Sequence, residues 1–274
     1  MKFIKDFKEI SKKDVSLVGG KGANLGELTK IKIPVPPGFV VLTSAFDMNG
    51  KMLKEIEKEI LIAFDSLKSK YLAVRSSATT EDSKIDSWAG QLESYLNTTR
   101  KNLMKNIKKC WVSLGNPRAV FYRQKRGLKG KKISVAVIIQ KMIKADVSGV
   151  CFTVHPVTKD KNQMVIEAAW GLGEILVSGQ ITPDTYVIEK DSLNILDINI
   201  NPQKKMIIFA EKDNKTITVP GSERSKQKLS ENQIKKLARL CLKIENHHKD
   251  PQDIEWALEK NKFYILQSRP VTAF

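Results

Sequence analysis

The fold is indicated most strongly by the stretch Asp253-Ile-Glu-Trp-Ala-Leu-Glu-Lys-Asn-Lys-Phe-Tyr-Ile-Leu-Gln-Ser-Arg269. Apolar and polar residues alternate in its first half, as in a half-buried β-strand. A three-residue turn at Lys260-Asn261-Lys262 would fold the stretch into a hairpin with Glu255 opposite Gln267. The sequence therefore predicts two antiparallel strands with polar side chains gathered on one face.

The same register sets Asp253 opposite Arg269, so that two carboxylates, a carboxamide and a guanidinium share this face. Oxygen ligands of this kind suit a Mg²⁺ ion bridged to phosphates, and an arginine can neutralise developing phosphoryl charge. A salt-bridged hairpin is the alternative, because an Asp253–Arg269 pair alone accounts for half of the set.

Two further strands before the hairpin end in segments that suit a ligand. The run Val165-Ile-Glu-Ala-Ala-Trp-Gly-Leu-Gly-Glu174 would let Glu167 or Glu174 approach a ribose or a cation, although either acid could be the solvated end of a strand. The apolar run from Val135 leads to a segment that could form an adenine hinge through its backbone. His155, just before Pro156, is better explained as a structural histidine than as a catalytic one.

The first half of the chain carries two cationic segments. Val18-Gly-Gly-Lys-Gly-Ala-Asn-Leu-Gly-Glu-Leu28 places glycines around Lys21 before a helical pattern, which suits a phosphate but equally suits a flexible helix start. It is not a P-loop, because Gly22 follows the lysine. Arg75 lies on a short strand, where its guanidinium could bind phosphate oxygens or pair with Glu81 or Asp82.

Taken together, these segments resemble the N-terminal ATP-grasp domain of the phosphoenolpyruvate synthase and pyruvate phosphate dikinase family, which rifampin phosphotransferases share. The matching pieces are Gly19–Glu27, Pro34–Phe39, Val74–Ala78, Ala89–Gln91, Val137–Met142, Ser148–Thr153, Trp170–Glu174, Asp253–Trp256 and Leu266–Thr272. They follow the family's order over nearly the whole chain. The resemblance implies an α+β, two-lobed ATP-grasp fold with the nucleotide site between the lobes.

The resemblance also implies a role for individual residues. Lys21, Arg75 and Arg269 would be the catalytic cations, with Lys21 and Arg75 on the nucleotide phosphates. The remaining nucleotide-binding residues would be Ala89, Gly90 and Gln91 as a lid, Gln140, Lys141, Met142 and Ile143 as the adenine hinge, and Glu174 as a ribose contact. Glu255 and Gln267 would bind Mg²⁺.

In such enzymes ATP and Mg²⁺ serve to phosphorylate a histidine on a separate swivelling domain, and AMP and phosphate are released. We therefore expect a phosphotransferase that works with a phosphohistidine-carrier domain or partner chain, with pyruvate bound elsewhere as the final acceptor. The alternatives are a non-catalytic ATP-binding or regulatory module, or the ATP domain of a rifampin phosphotransferase-like or pyruvate phosphate dikinase-like enzyme.

Composition favours a globular chain of the cytoplasm. The 274 residues include 41% hydrophobic ones, and 47 Lys+Arg against 30 Asp+Glu give a formal net charge of +17. Because both halves are basic and no basic tail is present, a lysine-rich solvated surface is favoured over a nucleic-acid-binding one. Cys110, Cys151 and Cys241 lack metal or disulfide spacing and are predicted to be buried thiols. The sequence shows neither a signal peptide nor an apolar run long enough to span a membrane.

The polar stretch Arg123–Lys132 divides the chain into an N-terminal lobe, 1–125, and a C-terminal lobe, 130–274. Helices are predicted at Leu53–Leu67 and at Asn102–Tyr122, with a break at Gly115–Pro117. A hairpin is predicted between Leu193 and Ala210. The capping box Ser230-Glu-Asn-Gln233 predicts the start of a helix.

Overall fold

The computed structural model describes residues 2–46, 52, 54–81, 92–128, 133–211 and 213–271. The chain forms two compact units, each containing a β-sheet and helices, so the α+β, two-lobed organisation predicted from the sequence is confirmed. Unit 1 comprises Met1–Lys32 and Pro36–Met142. Unit 2 comprises Ile33–Val35 and Ile143–Phe274.

Unit 1 contains a five-stranded antiparallel sheet among the residues that the structure describes. Its strands are β1 (Ile4–Asp6), β2 (Gly38–Val41), β3 (Leu72–Ala78), β4 (Ser94–Thr98) and β5 (Val135–Lys141). Their order across the sheet is β1-β2-β5-β3-β4. The helices are α1 (Val15–Lys30), α2 (Lys54–Ser66), α3 (Leu103–Val112) and α4 (Pro117–Lys125). The predicted helix break at Gly115–Pro117 is thus confirmed.

The two faces of this sheet pack against different helices. On one face, apolar residues of β2, β3 and β5 pack with Ile56 and Ile60 of α2 and Ile107 of α3. Ser76 of β3 is on this face too, and its hydroxyl donates to the Cys110 carbonyl of α3. The other face carries α1, and Ser77 of β3 donates a hydrogen bond to the Val18 carbonyl on that side. Because side chains alternate along a strand, residues two positions from Ser77 share the face of α1.

A long run of positive charge begins in unit 1 and continues to the start of the second segment of unit 2. Residues 94–145 contain 14 Lys and Arg residues and no Asp or Glu. Part of this charge is balanced by acids of α2, since Arg100 pairs with Asp65 at 3.2 Å and Lys108 with Glu57 at 3.6 Å. Both pairs are largely exposed, so each contributes little to stability.

Unit 2 contains a six-stranded antiparallel sheet and a separate two-stranded hairpin within its described residues. The strands are β6 (Val147–Phe152), β7 (Gln163–Trp170), β8 (Asp184–Glu189), β9 (Ile195–Asn199), β10 (Lys205–Ile208), β11 (Lys215–Thr218), β12 (Gln252–Glu259) and β13 (Lys262–Pro270). The large sheet has the order β13-β12-β6-β7-β8-β9, and β10 pairs with β11. The helices are α5 (Glu174–Val177) and α6 (Glu231–His248).

Helix α6 begins as the sequence predicts. The Ser230 side chain accepts a hydrogen bond from the Gln233 amide, and the Gln233 side chain accepts one from the Ser230 amide, so the capping box is confirmed. The helix ends at His248, and the next residue, Lys249, caps it with a left-handed φ of 59°. Its buried face includes Cys241, and all three cysteines are buried and free, as predicted.

Two parts of the predicted organisation differ from the structure. The division between the units falls after Met142 and not in the predicted stretch Arg123–Lys132, because β5 pairs with β2 and β3 in the middle of the first sheet. The predicted hairpin between Leu193 and Ala210 is wrong: β9 pairs with β8, and β10 pairs with β11. Across the described residues, we find no helix with the length and apolarity that crossing a membrane requires.

Candidate nucleotide-binding site

The glycine cluster of α1 forms a kink that starts a new helical segment. Gly19 has a φ of 71°, which favours glycine, whereas the residues around it are helical. A Cβ atom at Gly19 would lie 2.3 Å from the Ser77 carbonyl oxygen, so no larger residue fits without moving β3. Lys21 therefore lies in the first turn after the kink, where backbone N–H groups and the helix dipole favour an anion.

Ser77 of β3 links this kink to the sheet through two side-chain hydrogen bonds. Its hydroxyl accepts a hydrogen bond from the Gly22 amide at 3.1 Å and donates one to the Val18 carbonyl at 2.8 Å. One buried hydroxyl thus satisfies a backbone group on each side of Gly19. This serine lies in the Val74–Ala78 motif, so two segments that the sequence separates by more than fifty residues form one local structure.

Lys21 is paired with a buried acid. Its Nζ atom lies 2.7 Å from Oε1 of Glu81, and the two side chains retain 15% and 0% exposure. The other oxygen of Glu81 accepts a hydrogen bond from the Ala78 amide at 3.1 Å. The sequence treated Glu81 as a possible partner of Arg75, whereas the structure places it against Lys21. A phosphate bound by Lys21 must share this lysine with Glu81 or displace the acid.

Arg75 lies on the same face of the sheet as the kink. It is two residues before Ser77 on β3, opposite Ile138 of β5 and Ser94 of β4, and it is half-buried. Because Ser77 contacts α1, the alternation of the strand places Arg75 on the α1 side. Unit 1 therefore brings Lys21 and Arg75, the two predicted phosphate-binding cations, to one face.

The predicted adenine hinge ends β5. Gln140 is buried, and its amide group donates to the Pro36 carbonyl at 3.3 Å. The backbone amides of Lys141 and Met142 donate to the carbonyls of Pro37 and Tyr71. These amides are already used inside unit 1, which the sequence did not indicate. Because the two amides are engaged, an adenine bound here would have to contact backbone carbonyls or the backbone amide of Ile143. Ile143 is the first residue of the second segment of unit 2, Ile143–Phe274.

The predicted lid residues, Ala89, Gly90 and Gln91, lie outside the described residues. Their role therefore stays a prediction.

The β12–β13 hairpin has the predicted register at the polar positions. Asp253 is opposite Arg269, and Glu255 is opposite Gln267. The guanidinium contacts one oxygen of Asp253 twice, with Nε at 2.9 Å and an Nη atom at 2.8 Å from Oδ2. Glu255 and Gln267 lie on the same face as this ion pair and are a carboxylate and a carboxamide opposite each other.

A third carboxylate joins this row from β7. Glu255 is opposite Val150 of β6, and Val150 is opposite Glu167 of β7, so both glutamates are on the face of Asp253. Burial, and secondarily the charge of Asp253, raises the pKa of Glu167. Burial also raises the pKa of Asp253, although Arg269 lowers it.

The excess of buried negative charge indicates where a cation would be favourable. Oδ1 of Asp253 is buried and has no hydrogen-bond partner among the described residues. Asp253 and Glu167 were discussed from the sequence but not assigned to the site. The sequence does not show that pairing through β6 aligns Glu167 of β7 with Glu255 of β12. In the described part of the chain, no group of three or more His, Cys, Asp or Glu side chains has the geometry to hold a metal by itself.

Glu174 is exposed at the start of α5. Its Oε2 atom accepts a hydrogen bond from the side-chain amide of Asn214, which precedes β11.

His155 has a structural role, as predicted: its Nδ1 atom accepts hydrogen bonds from the amides of Val157 and Thr158 at 3.3 and 3.2 Å.

Comparison with known protein families defines the class of the chain. Residues 15–48 and 47–274 match the family described as "Pyruvate phosphate dikinase, AMP/ATP-binding domain", so the chain is a nucleotide-binding domain. It belongs to the pyruvate phosphate dikinase AMP/ATP-binding domain family. The resemblance stated from the sequence is thereby confirmed, and this membership supports the ATP-grasp assignment.

Curated relatives carry the names of two activities. The chain is 40% identical to a probable phosphoenolpyruvate synthase of Methanocaldococcus jannaschii, over 99% of this chain and 27% of that protein. It is 41% identical to one of Archaeoglobus fulgidus, over 96% of this chain and 41% of that protein. It is 39% identical to a rifampicin phosphotransferase of Bacillus cereus, over 98% of this chain and 36% of that protein. The chain thus spans less than half the length of each of these relatives.

Proposed function

We propose that the chain is the ATP-binding, phosphoryl-donating domain of a phosphoenolpyruvate synthase-like enzyme. It would use Mg-ATP to phosphorylate a histidine on a separate domain or partner chain, with release of AMP and phosphate. The observation that carries this proposal is the β12–β13 register, which puts Glu255 beside Gln267 and Arg269 beside Asp253 in a member of an AMP/ATP-binding family.

In this proposal, unit 1 supplies the contacts to the phosphates. Lys21 offers an ammonium group in the first turn after the Gly19 kink, where the adjacent backbone amides also favour an anion. Arg75 adds a planar guanidinium from the same face of the sheet, a group suited to bidentate contacts with phosphate oxygens. The half-buried position of Arg75 and the Glu81 pair of Lys21 restrict both side chains before a nucleotide binds.

Unit 2 supplies the oxygen donors for Mg²⁺. Glu255 and Gln267 would bind the ion together with phosphate oxygens, since Mg²⁺ commonly uses one or two protein carboxylates and completes its shell with substrate and water. The buried unpartnered oxygen of Asp253 fits the nearby presence of a cation. The bound ion would neutralise phosphate charge, which otherwise repels a nucleophile.

Arg269 is the proposed group for the transferred phosphoryl. Its side chain is held by Asp253 through two contacts to Oδ2, so the guanidinium is oriented before the reaction. In the proposed step, a histidine nitrogen forms a bond to the β-phosphorus, and the bond from the β-phosphorus to the oxygen of AMP breaks. The γ-phosphoryl group is transferred to water as phosphate. By analogy with the loss of one oxyanion-hole donor, removal of such a cation should lower the rate about 10²–10³-fold.

Calorimetric titration with ATP, with and without Mg²⁺, tests the binding part of the proposal. Lys21→Ala would remove the ammonium group that contacts the buried carboxylate of Glu81, so the sharper variant combines Lys21→Met with Glu81→Gln. Lys30→Ala, an exposed lysine of the same helix, is the matched control. We expect the double variant and Glu255→Ala to lose Mg-dependent binding and the control to retain it. Absence of ATP binding by the unaltered chain would refute the proposal.

Phosphoryl donation is tested with ATP labelled at the β-phosphate. The chain is mixed with the remaining portion of the M. jannaschii relative, which supplies a candidate acceptor, and transfer of label and formation of AMP are measured. Arg269→Lys, which keeps a positive charge, should bind ATP but transfer slowly. Binding without any transfer or AMP would favour the alternative of a non-catalytic ATP-binding module.

A further inference from the structure

The hairpin formed by β10 and β11 contacts the turn that carries Glu174. Within the described residues its two strands pair with each other and not with the six-stranded sheet. The Leu172 amide nevertheless donates to the Ile207 carbonyl at 2.8 Å, and Gly171 forms an isolated bridge with Ile207. These contacts hold the hairpin against Gly171 and Leu172, which lie two to three residues before Glu174.

Gly171 makes this close approach possible. Its φ is 76°, and a Cβ atom there would lie 2.2 Å from the Ile207 carbonyl oxygen. On its other side, the Gly171 amide donates to the Asp146 carbonyl at 2.8 Å, and its carbonyl accepts from the Ser148 hydroxyl at 2.6 Å. The turn is thus held between the sheet and the hairpin.

The hairpin also reaches the segment that follows the predicted adenine hinge. The ammonium group of Lys144 lies 4.2 Å from the centre of the Phe209 ring, a cation–π distance. Lys144 is the residue after Ile143, and its amide donates to Glu259 at 2.8 Å. The hairpin therefore contacts segments of unit 2 adjacent to Ile143 and Glu174, two residues that the sequence analysis predicts to contact the nucleotide.

Asn214 joins the hairpin to Glu174 itself. Its side-chain amide donates to Oε2 of the glutamate, so the contact is a hydrogen bond to a charged acceptor. Glu174 is exposed and has a long, flexible side chain, which loses conformational entropy whenever a ligand fixes it. A donor on a docked hairpin restricts the carboxylate in advance and engages only one of its two oxygens.

We propose that Asn214 is a positioning residue that orients Glu174 for the hydroxyl groups of the nucleotide sugar. The β10–β11 hairpin would then determine the preference of the chain for ribonucleotides over deoxyribonucleotides. This inference rests on the proposed function, since it assumes that ATP binds with its sugar at Glu174. The ribose hydroxyl would donate to the second carboxylate oxygen, and a sugar without that hydroxyl would lose the bond.

The test compares dissociation constants for ATP, 2′-deoxy-ATP and 3′-deoxy-ATP in the presence of Mg²⁺. A hydrogen bond to a charged group predicts that the unaltered chain binds at least one deoxy analogue about tenfold more weakly than ATP. Asn214→Ala should reduce this ratio to about threefold or less, by weakening ATP binding and leaving that analogue unchanged. Asn214→Leu, which has a similar size and no charge but no amide donor, should do the same. Asn194→Ala, an exposed asparagine at the β8–β9 connection, is the control and should keep the full ratio.

Each outcome distinguishes this inference from the proposed function. A full ratio in both Asn214 variants would overturn the inference, as would equal binding of all three nucleotides by the unaltered chain, and in both cases the ATP-binding function would stand. Loss of affinity for all three nucleotides by the same factor would show general damage to the site and would also overturn the sugar-specific role. If the unaltered chain bound none of them, both proposals would fail.

Discussion

Replacement of Arg269 by alanine should destabilise the chain in a pH-dependent manner. The guanidinium contacts Oδ2 of Asp253, and the two side chains retain 21% and 14% exposure. Burial already raises the pKa of Asp253, while Arg269 acts to lower it. In Arg269→Ala the buried carboxylate would remain without its cation at neutral pH, and its pKa would rise further.

The expected cost follows from this partial burial. Breaking a fully buried pair costs about 3–5 kcal/mol, and because both side chains keep some contact with water we expect about 2 kcal/mol at pH 7. The cost should decrease on acidification. A raised pKa means that the folded state binds its proton more tightly than the unfolded state, so stability is lost as the pH rises through that pKa and regained as it falls.

Urea unfolding followed by circular dichroism, at pH 7 and at pH 4.5, measures both effects. The matched control is Arg100→Ala, which removes a pair that is more than half exposed on both sides and should cost about 0–1 kcal/mol at either pH. A cost for Arg269→Ala no larger than that of the control, or one that does not decrease at pH 4.5, would refute the reasoning about Asp253.

Three further predictions concern stability. Because burial raises the pKa of Glu167, Glu167→Gln should increase the free energy of unfolding at pH 7, and urea titrations should show this gain vanishing below pH 4.5. The hydrogen bond from Lys5 holds the pKa of Asp14 at about 2, so Lys5→Ala should lower the unfolding free energy at pH 7 by less than about 2 kcal/mol, with the difference lost as the pH falls from 4 to 2. Gly149→Ala would put a Cβ atom 1.8 Å from the Glu167 carbonyl oxygen and should cost about 3 kcal/mol in thermal unfolding, whereas Gly115→Ala, with no atom within 4 Å, should be nearly neutral.

The hairpin register was predictable from the sequence, although the predicted turn was wrong. The turn consists of Lys260 and Asn261, both with positive φ, and not of three residues. Such a two-residue turn alone would place Glu255 opposite Leu266. A bulge between Glu255 and Trp256 shifts the pairing by one residue and brings Gln267 into place. Alternation predicts strands well, but no pattern in the sequence indicated this bulge.

Other features of the site required the three-dimensional structure. The Lys21–Glu81 pair depends on how β3 and the kink of α1 meet, and sequence reasoning had only the nearness of Glu81 to Arg75 along the chain. The use of the Lys141 and Met142 amides inside unit 1 depends on pairing with distant segments. The location of the unit boundary likewise depends on which sheet contains β5, and an apolar strand does not itself specify its neighbours.

The bulge in the β12–β13 hairpin has a consequence for the evolution of length in this part of the gene. Leu266 is the extra residue of the bulge, because Trp256 pairs with Ile265 and Glu255 pairs with Gln267. Deletion of its codon would therefore restore regular pairing and keep Gln267 opposite Glu255 and Arg269 opposite Asp253. Deletion of the codon for Ser268 would instead place Arg269 opposite Ile254, on the other face of the hairpin. The first change could persist among homologous genes, whereas the second should be eliminated by selection.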